Sequence, residues 1–172
     1  MKIFLVGMPG SGKSTLGRTV AKRLNHDFFD LDTLIVEQEG MSIPDIFARH
    51  GEAYFREAER TALVRTGFRQ GAVVATGGGT PCFFDNMDWM KSRGVVVWLD
   101  IAPAIIASRL TGSLKASQQR PLFAGKSKEE ITETLNSMHQ QRQPFYQLAQ
   151  IRVGEKEARP GLVLQKLKDL AG

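Results

Sequence analysis

Nine residues near the start of the chain, Gly7-Met8-Pro9-Gly10-Ser11-Gly12-Lys13-Ser14-Thr15, constrain the fold more than any other stretch. They fill every fixed position of G-x-x-x-x-G-K-[ST], the phosphate-binding loop. Glycines let backbone N–H groups curl around an anion with no Cβ in the way. A lysine here sets a point charge on the outer phosphates, and the hydroxyl after it can ligate Mg²⁺. The context supports the motif. Apolar residues from Ile3 to Val6 precede it as a strand buried on both faces, and Leu16, Val20 and Leu24 follow at helical spacing. A plain Gly/Ser turn between a strand and a helix is the alternative.

Beyond the loop the chain alternates strand and helix patterns. A helix over Thr15–Leu24 leads to a short strand, Phe28-Phe29-Asp30, which delivers Asp30-Leu31-Asp32 to the strand's carboxyl end. Two carboxylates beside a phosphate loop suit metal binding and activation of a hydroxyl. Asp32 equally suits the N-cap of a helix starting at Thr33. A helix opened by Ser42-Ile43-Pro44 ends at Gly51, and a longer one over Glu52–Gln70 carries Arg56. With Glu52 and Glu59 at i−4 and i+3, Arg56 reads on its own as an ordinary surface pair. A third strand, 71–75, runs into Thr76-Gly77-Gly78-Gly79-Thr80. Three consecutive glycines cost folding entropy, so they mark a close approach to the backbone or else a bland turn. A helix from Phe84 to Arg93, a strand over Val95–Leu99 and a helix over Pro103–Thr111 follow.

Residues 112–127 are small, polar and basic, with no apolar period and with Arg120 directly before Pro121. Such a loop in a nucleotide enzyme reads as a mobile phosphate-closing lid, or more simply as a solvated linker. A capping box at Ser127–Glu130 then opens a helix that Pro144 limits near Gln141. A fifth strand over Ile151–Val153 and a helix over Pro160–Leu170 complete the chain. This order predicts one α/β domain spanning 1–172, a three-layer α/β/α P-loop fold on a five-stranded parallel sheet.

Composition narrows the partners. The chain has 172 residues, 42% of them apolar, and a formal charge of +5. No apolar run reaches the ~18 residues of a membrane helix, so no membrane partner is expected. The start of the chain reads as a core strand rather than a signal peptide. The single cysteine, Cys82, excludes an internal disulfide framework, fits a reducing cytoplasm, and reads as a small residue near a loop. The positive charge suits either nucleic acid or anionic small molecules. Its dispersal, without a recurring aromatic-basic motif, argues against nucleic acid.

Taken together, Gly7 to Thr15, Asp30-Leu31-Asp32, Phe55-Arg56 with Glu59, Gly77-Gly78-Gly79, Arg120-Pro121-Leu122, and Arg142 with Tyr146 four residues on resemble the shikimate kinase family. That family is in the nucleoside-monophosphate-kinase-like branch of P-loop proteins, and the resemblance covers nearly the whole chain. It implies transfer of the ATP γ-phosphoryl to the shikimate 3-hydroxyl by a cytoplasmic monomer. Gly10, Ser11, Gly12, Lys13, Ser14 and Thr15 would hold the ATP phosphates, with Ser14 on Mg²⁺ and Asp30 reaching the metal through water. Asp32 would bind the shikimate hydroxyls and orient or deprotonate the attacking one. Arg56 and Arg142 would hold the carboxylate, alongside Gly77, Gly78 and Gly79. Lys13, Asp32 and Arg120 would be the catalytic groups, with Arg109 near adenine. The rivals are another small-molecule kinase, for gluconate or a nucleotide, and a nucleotide-dependent nucleic-acid-binding module.

Overall fold

All five residues of strand β1 (Ile3–Gly7) are buried. Successive side chains of a strand point to opposite faces, so complete burial requires helices over both faces of the sheet. The computed structural model, which describes residues 1–112, 123 and 125–172, meets this requirement. β1 lies at the centre of a five-stranded sheet of order β2-β3-β1-β4-β5, with β2 at Asp27–Asp30, β3 at Ala72–Ala75, β4 at Val95–Asp100 and β5 at Ile151–Gly154. Every pairing is parallel, with Ile3 beside both Val73 and Val95. All five carboxyl ends therefore share one edge, where open α/β sheets bind ligands.

Among the described residues seven α-helices connect and cover these strands: α1 (Lys13–Leu24), α2 (Leu31–Glu39), α3 (Ile43–Arg65), α4 (Asn86–Arg93), α5 (Pro103–Thr111), α6 (Lys128–Tyr146) and α7 (Pro160–Ala171). Helix α1 packs on β2 and β3 and against α7, α2 lies along α3, and α5 packs against α6. The core is one cluster running from Ile3–Val6 through Val73, Val74 and Val96–Leu99 to Val163 and Leu167.

Several boundaries differ from those expected. Helix α1 begins at Lys13, two residues early, with Gly12 as a left-handed cap at φ +96°. The cap of α2 is Asp30, not Asp32: the Asp30 carboxylate accepts from Asp32 N–H, and Asp32 already lies in the first turn. Both aspartates are cap-competent, and the earlier one wins because Leu31, fully buried, pulls its residue into the helix. Gly51, at φ +82°, breaks α3 where a break was expected, but the second segment stops at Arg65 and ends in a 3₁₀ turn over Thr66–Phe68. Phe84 is left-handed at φ +51°, which delays α4 to Asn86. Helix α6 passes through Pro144 to Tyr146. Proline removes a single intrahelical hydrogen bond, and burial of Tyr146 one turn from Arg142 holds the last turn in place. Residues 113–122 and 124 of the expected lid, Arg120 among them, lie outside the described residues.

Candidate active site

The phosphate loop joins β1 to α1, and its glycines have the conformations that the motif requires, φ +143° at Gly7, +81° at Gly10 and +96° at Gly12. The Lys13 ammonium is buried and donates to the Gly7 and Met8 carbonyls, each at 2.9 Å, which pins the charge across the mouth of the loop. Ser14 Oγ donates to Asp30 Oδ2 at 2.5 Å. The cap residue of α2 thus faces the hydroxyl that ends the loop motif.

The three consecutive glycines explain how the other half of the site is assembled. None has a positive φ, so the requirement is space rather than backbone freedom. A Cβ on Gly77 would lie 2.7 Å from Glu59 Oε1 and 3.4 Å from Asp32 Oδ1. One on Gly78 would lie 2.8 Å from both Arg142 Nη1 and Pro9 Cδ, and one on Gly79 would lie 2.7 Å from Arg56 Nη2. Each glycine is the seat of a different charged side chain. Asp32, Arg142 and Arg56 therefore converge on one short backbone segment, itself pressed against Pro9 of the phosphate loop.

Each side chain is held from its own element. Arg56, on α3, is buried between the ring of Phe83, 4.0 Å from the guanidinium, and the carboxylate of Glu59, which accepts from Nη1 at 2.9 Å. Glu52 approaches the opposite edge at 3.3 Å. The pairs anticipated with Glu52 and Glu59 both exist, but burial removes the Glu59 pair from the class of ordinary surface bridges. Arg142 comes from the last turns of α6, where Tyr146 fixes it. The Tyr146 hydroxyl donates to Gly78 O at 2.6 Å, its ring lies 5.9 Å from that of Trp98, and Met8 Sδ is 3.8 Å away. Tyr146 thus ties α6, the glycine segment and the phosphate loop together.

Burial pushes the Tyr146 phenol well above the ordinary range near 10, against the opposing charge of Arg142. The fold keeps this phenol neutral. Its contribution to stability is complete below about pH 10, where the unfolded tyrosine also keeps its proton, and falls as pH rises further. Urea midpoints measured from pH 8 to 11 should therefore decline more steeply for the wild type than for Tyr146→Phe; parallel declines would contradict this. Burial likewise raises the Cys82 thiol, over the counteracting pull of Arg142 and Arg56. The thiol stays protonated at neutral pH, which agrees with reading Cys82 as a small residue near a loop rather than a nucleophile.

Arg109 stands apart from this cluster. It is exposed at the end of α5, with Glu155, just beyond β5, 3.7 Å away. Arg120 lies outside the described residues. Sequence reading passed over Pro9, Phe83 and Thr80. Pro9 fills a variable position of the phosphate loop and Phe83 carries no motif, so only their nearness to conspicuous glycines could have drawn notice. Among the described residues no group of three or more His, Cys, Asp or Glu side chains could hold a metal by itself, and no helix is long and apolar enough to cross a membrane.

A phosphate loop and a guanidinium–carboxylate cluster, side by side on the carboxyl edge of a parallel sheet, define an ATP-dependent P-loop kinase with a small acidic acceptor. Comparison with known proteins narrows the class. The shikimate kinase family profile matches residues 9–171. A shikimate kinase of Phocaeicola vulgatus is 45% identical over 148 residues, covering 86% of this chain and 83% of the relative. The crystal structure of shikimate kinase from Bacteroides thetaiotaomicron superposes with a TM-score of 0.89 at 36% identity, covering 99% and 98% of the two chains. That of the Acinetobacter baumannii enzyme in complex with shikimate gives 0.82 at 32% identity, covering 99% and 92%. The chain belongs to the shikimate kinase family.

Proposed function

We propose that this chain, as a single monomeric kinase domain over residues 1–172, phosphorylates the 3-hydroxyl of shikimate with ATP, giving shikimate 3-phosphate and ADP. The observation that carries the reading is the convergence of Arg56, Arg142 and Asp32 on Gly77–Gly79 beside Pro9. Two guanidinium groups on one small segment suit a carboxylate, which planar forks grip better than ammonium groups do. The backbone N–H of Gly78 adds a neutral donor. Asp32, exposed next to Gly77, orients the ring hydroxyls and takes the proton of the attacking one as its oxygen bonds to the γ-phosphorus and the bond to ADP breaks.

On the nucleotide side Gly10, Ser11, Gly12, Lys13, Ser14 and Thr15 cradle the phosphates at the positive end of α1. Ser11 Oγ, buried and without a hydrogen-bond partner among the described residues, fits an anion in the loop. Arg109 lies toward adenine, and Arg120 supplies charge to the phosphates. Ser14 Oγ and Asp30 Oδ2, in mutual contact, are hard oxygen donors of the kind that Mg²⁺ takes while keeping its waters. Ser14 would hold the ion directly and Asp30 through water; when bound, it neutralises phosphate charge. The unpaired Cys82 is compatible with a reducing cytoplasm.

A crystal structure with ADP and shikimate tests the assignment: the carboxylate should lie between Arg56 and Arg142, and a carboxylate elsewhere would overturn it. Gly78→Ala places a methyl against Arg142 and Pro9, and should raise the KM for shikimate by roughly tenfold or more. An unchanged KM would show that Arg142 is not held by this contact.

A further inference from the structure

Arg56 is held by more than Glu59. Both oxygens of the Glu59 carboxylate are engaged: Oε2 accepts from Arg56, and Oε1 accepts from the hydroxyl of Thr80 at 2.5 Å. Thr80 is fully buried in the 3₁₀ turn that follows the glycines. Its carbonyl in turn accepts from Asn86 Nδ2 at 2.9 Å, and Asn86, also fully buried, accepts at Oδ1 from Arg60 at 2.8 Å. Arg60 ends the chain of contacts on Asp85, 2.7 Å away at the surface. A continuous polar path thus runs from the exposed Asp85, through the half-buried Arg60, to the guanidinium of Arg56.

From this path we infer that Thr80 and Asn86 are positioning residues for acceptor binding, acting on Arg56 through Glu59. A carboxylate has two equivalent oxygens and can swing about its bonds. With only Arg56 as partner, Glu59 would leave one buried oxygen without a donor, and the pair could rotate to find one. The Thr80 hydroxyl removes that freedom, and Asn86 fixes Thr80 by its carbonyl. The guanidinium is then presented in one orientation before the substrate arrives, which lowers the ordering required on binding. Thr80 and Asn86 themselves contact no substrate.

The inference rests on Arg56 holding the shikimate carboxylate, so Arg56→Lys is measured alongside. Thr80→Val keeps the volume and removes the hydroxyl. It should raise the KM for shikimate about tenfold while the KM for ATP stays within about twofold, and Thr80→Ser, which restores the donor, should return both to wild type. Asn86→Asp, which withdraws the donor from the Thr80 carbonyl, should shift the same constant in the same direction. Both sites must show the shift. An effect confined to melting temperature or to kcat, or a Thr80→Ser variant as impaired as Thr80→Val, would reduce both residues to structural ones and overturn the inference. An unchanged shikimate KM in Arg56→Lys would instead remove the reading of the acceptor site on which it stands.

Discussion

Lys13→Ala is expected to lower kcat by at least about 100-fold while leaving a folded protein, since removing one donor to developing transition-state charge costs that much or more. Lys13 lies in a buried position, and its ammonium donates to the Gly7 and Met8 carbonyls of its own loop. Two loop carbonyls lose a charged donor in the variant. A cost of about 1–3 kcal/mol follows, which in a chain of this size lowers the melting temperature by several degrees and does not unfold it at 25 °C. Coupled ADP release and a thermal melt on the same sample separate the two effects. Turnover within tenfold of wild type would show that the lysine charge does not act on the phosphates.

The second large effect belongs to the acceptor side. Arg142→Lys should raise the KM for shikimate by roughly 10- to 100-fold and that for ATP by no more than about twofold, because an ammonium cannot offer two parallel N–H bonds to one carboxylate. The position admits little compensation. The guanidinium lies where a Cβ on Gly78 would reach to within 2.8 Å of Nη1, and Tyr146 anchors the helix end from which it projects. Initial rates with one substrate varied at saturating concentrations of the other give both constants. Equal changes in the two would move Arg142 to the nucleotide side.

The features legible in the sequence are those for which one residue type has few uses. The phosphate loop and the strand before it lie where their residues predict, and the helix after it starts two residues early, at Lys13. The glycine segment does mark a close approach, although the approaching groups are the chain's own Asp32, Glu59, Arg142 and Arg56. Less legible were choices between equivalent candidates. Asp30 and Asp32 can each cap a helix, and the decision falls to Leu31, whose burial shows only in three dimensions. Pro144 looks like a helix stop, but tertiary anchoring of Tyr146 outweighs one lost hydrogen bond. Arg56 looks like a surface residue because both of its partners lie at surface-helix spacings. That one of them is buried with Thr80 depends on where the turn after β3 lands. Phe83 carries no motif, and its ring over Arg56 belongs to the same turn.

The cluster around Gly77–Gly79 is expected to receive shikimate. ADP release measured with shikimate, gluconate and nucleoside monophosphates under identical conditions tests it most directly. Turnover with shikimate and none above background with the others is the expected result. No turnover with shikimate, or comparable rates with all three, would contradict it.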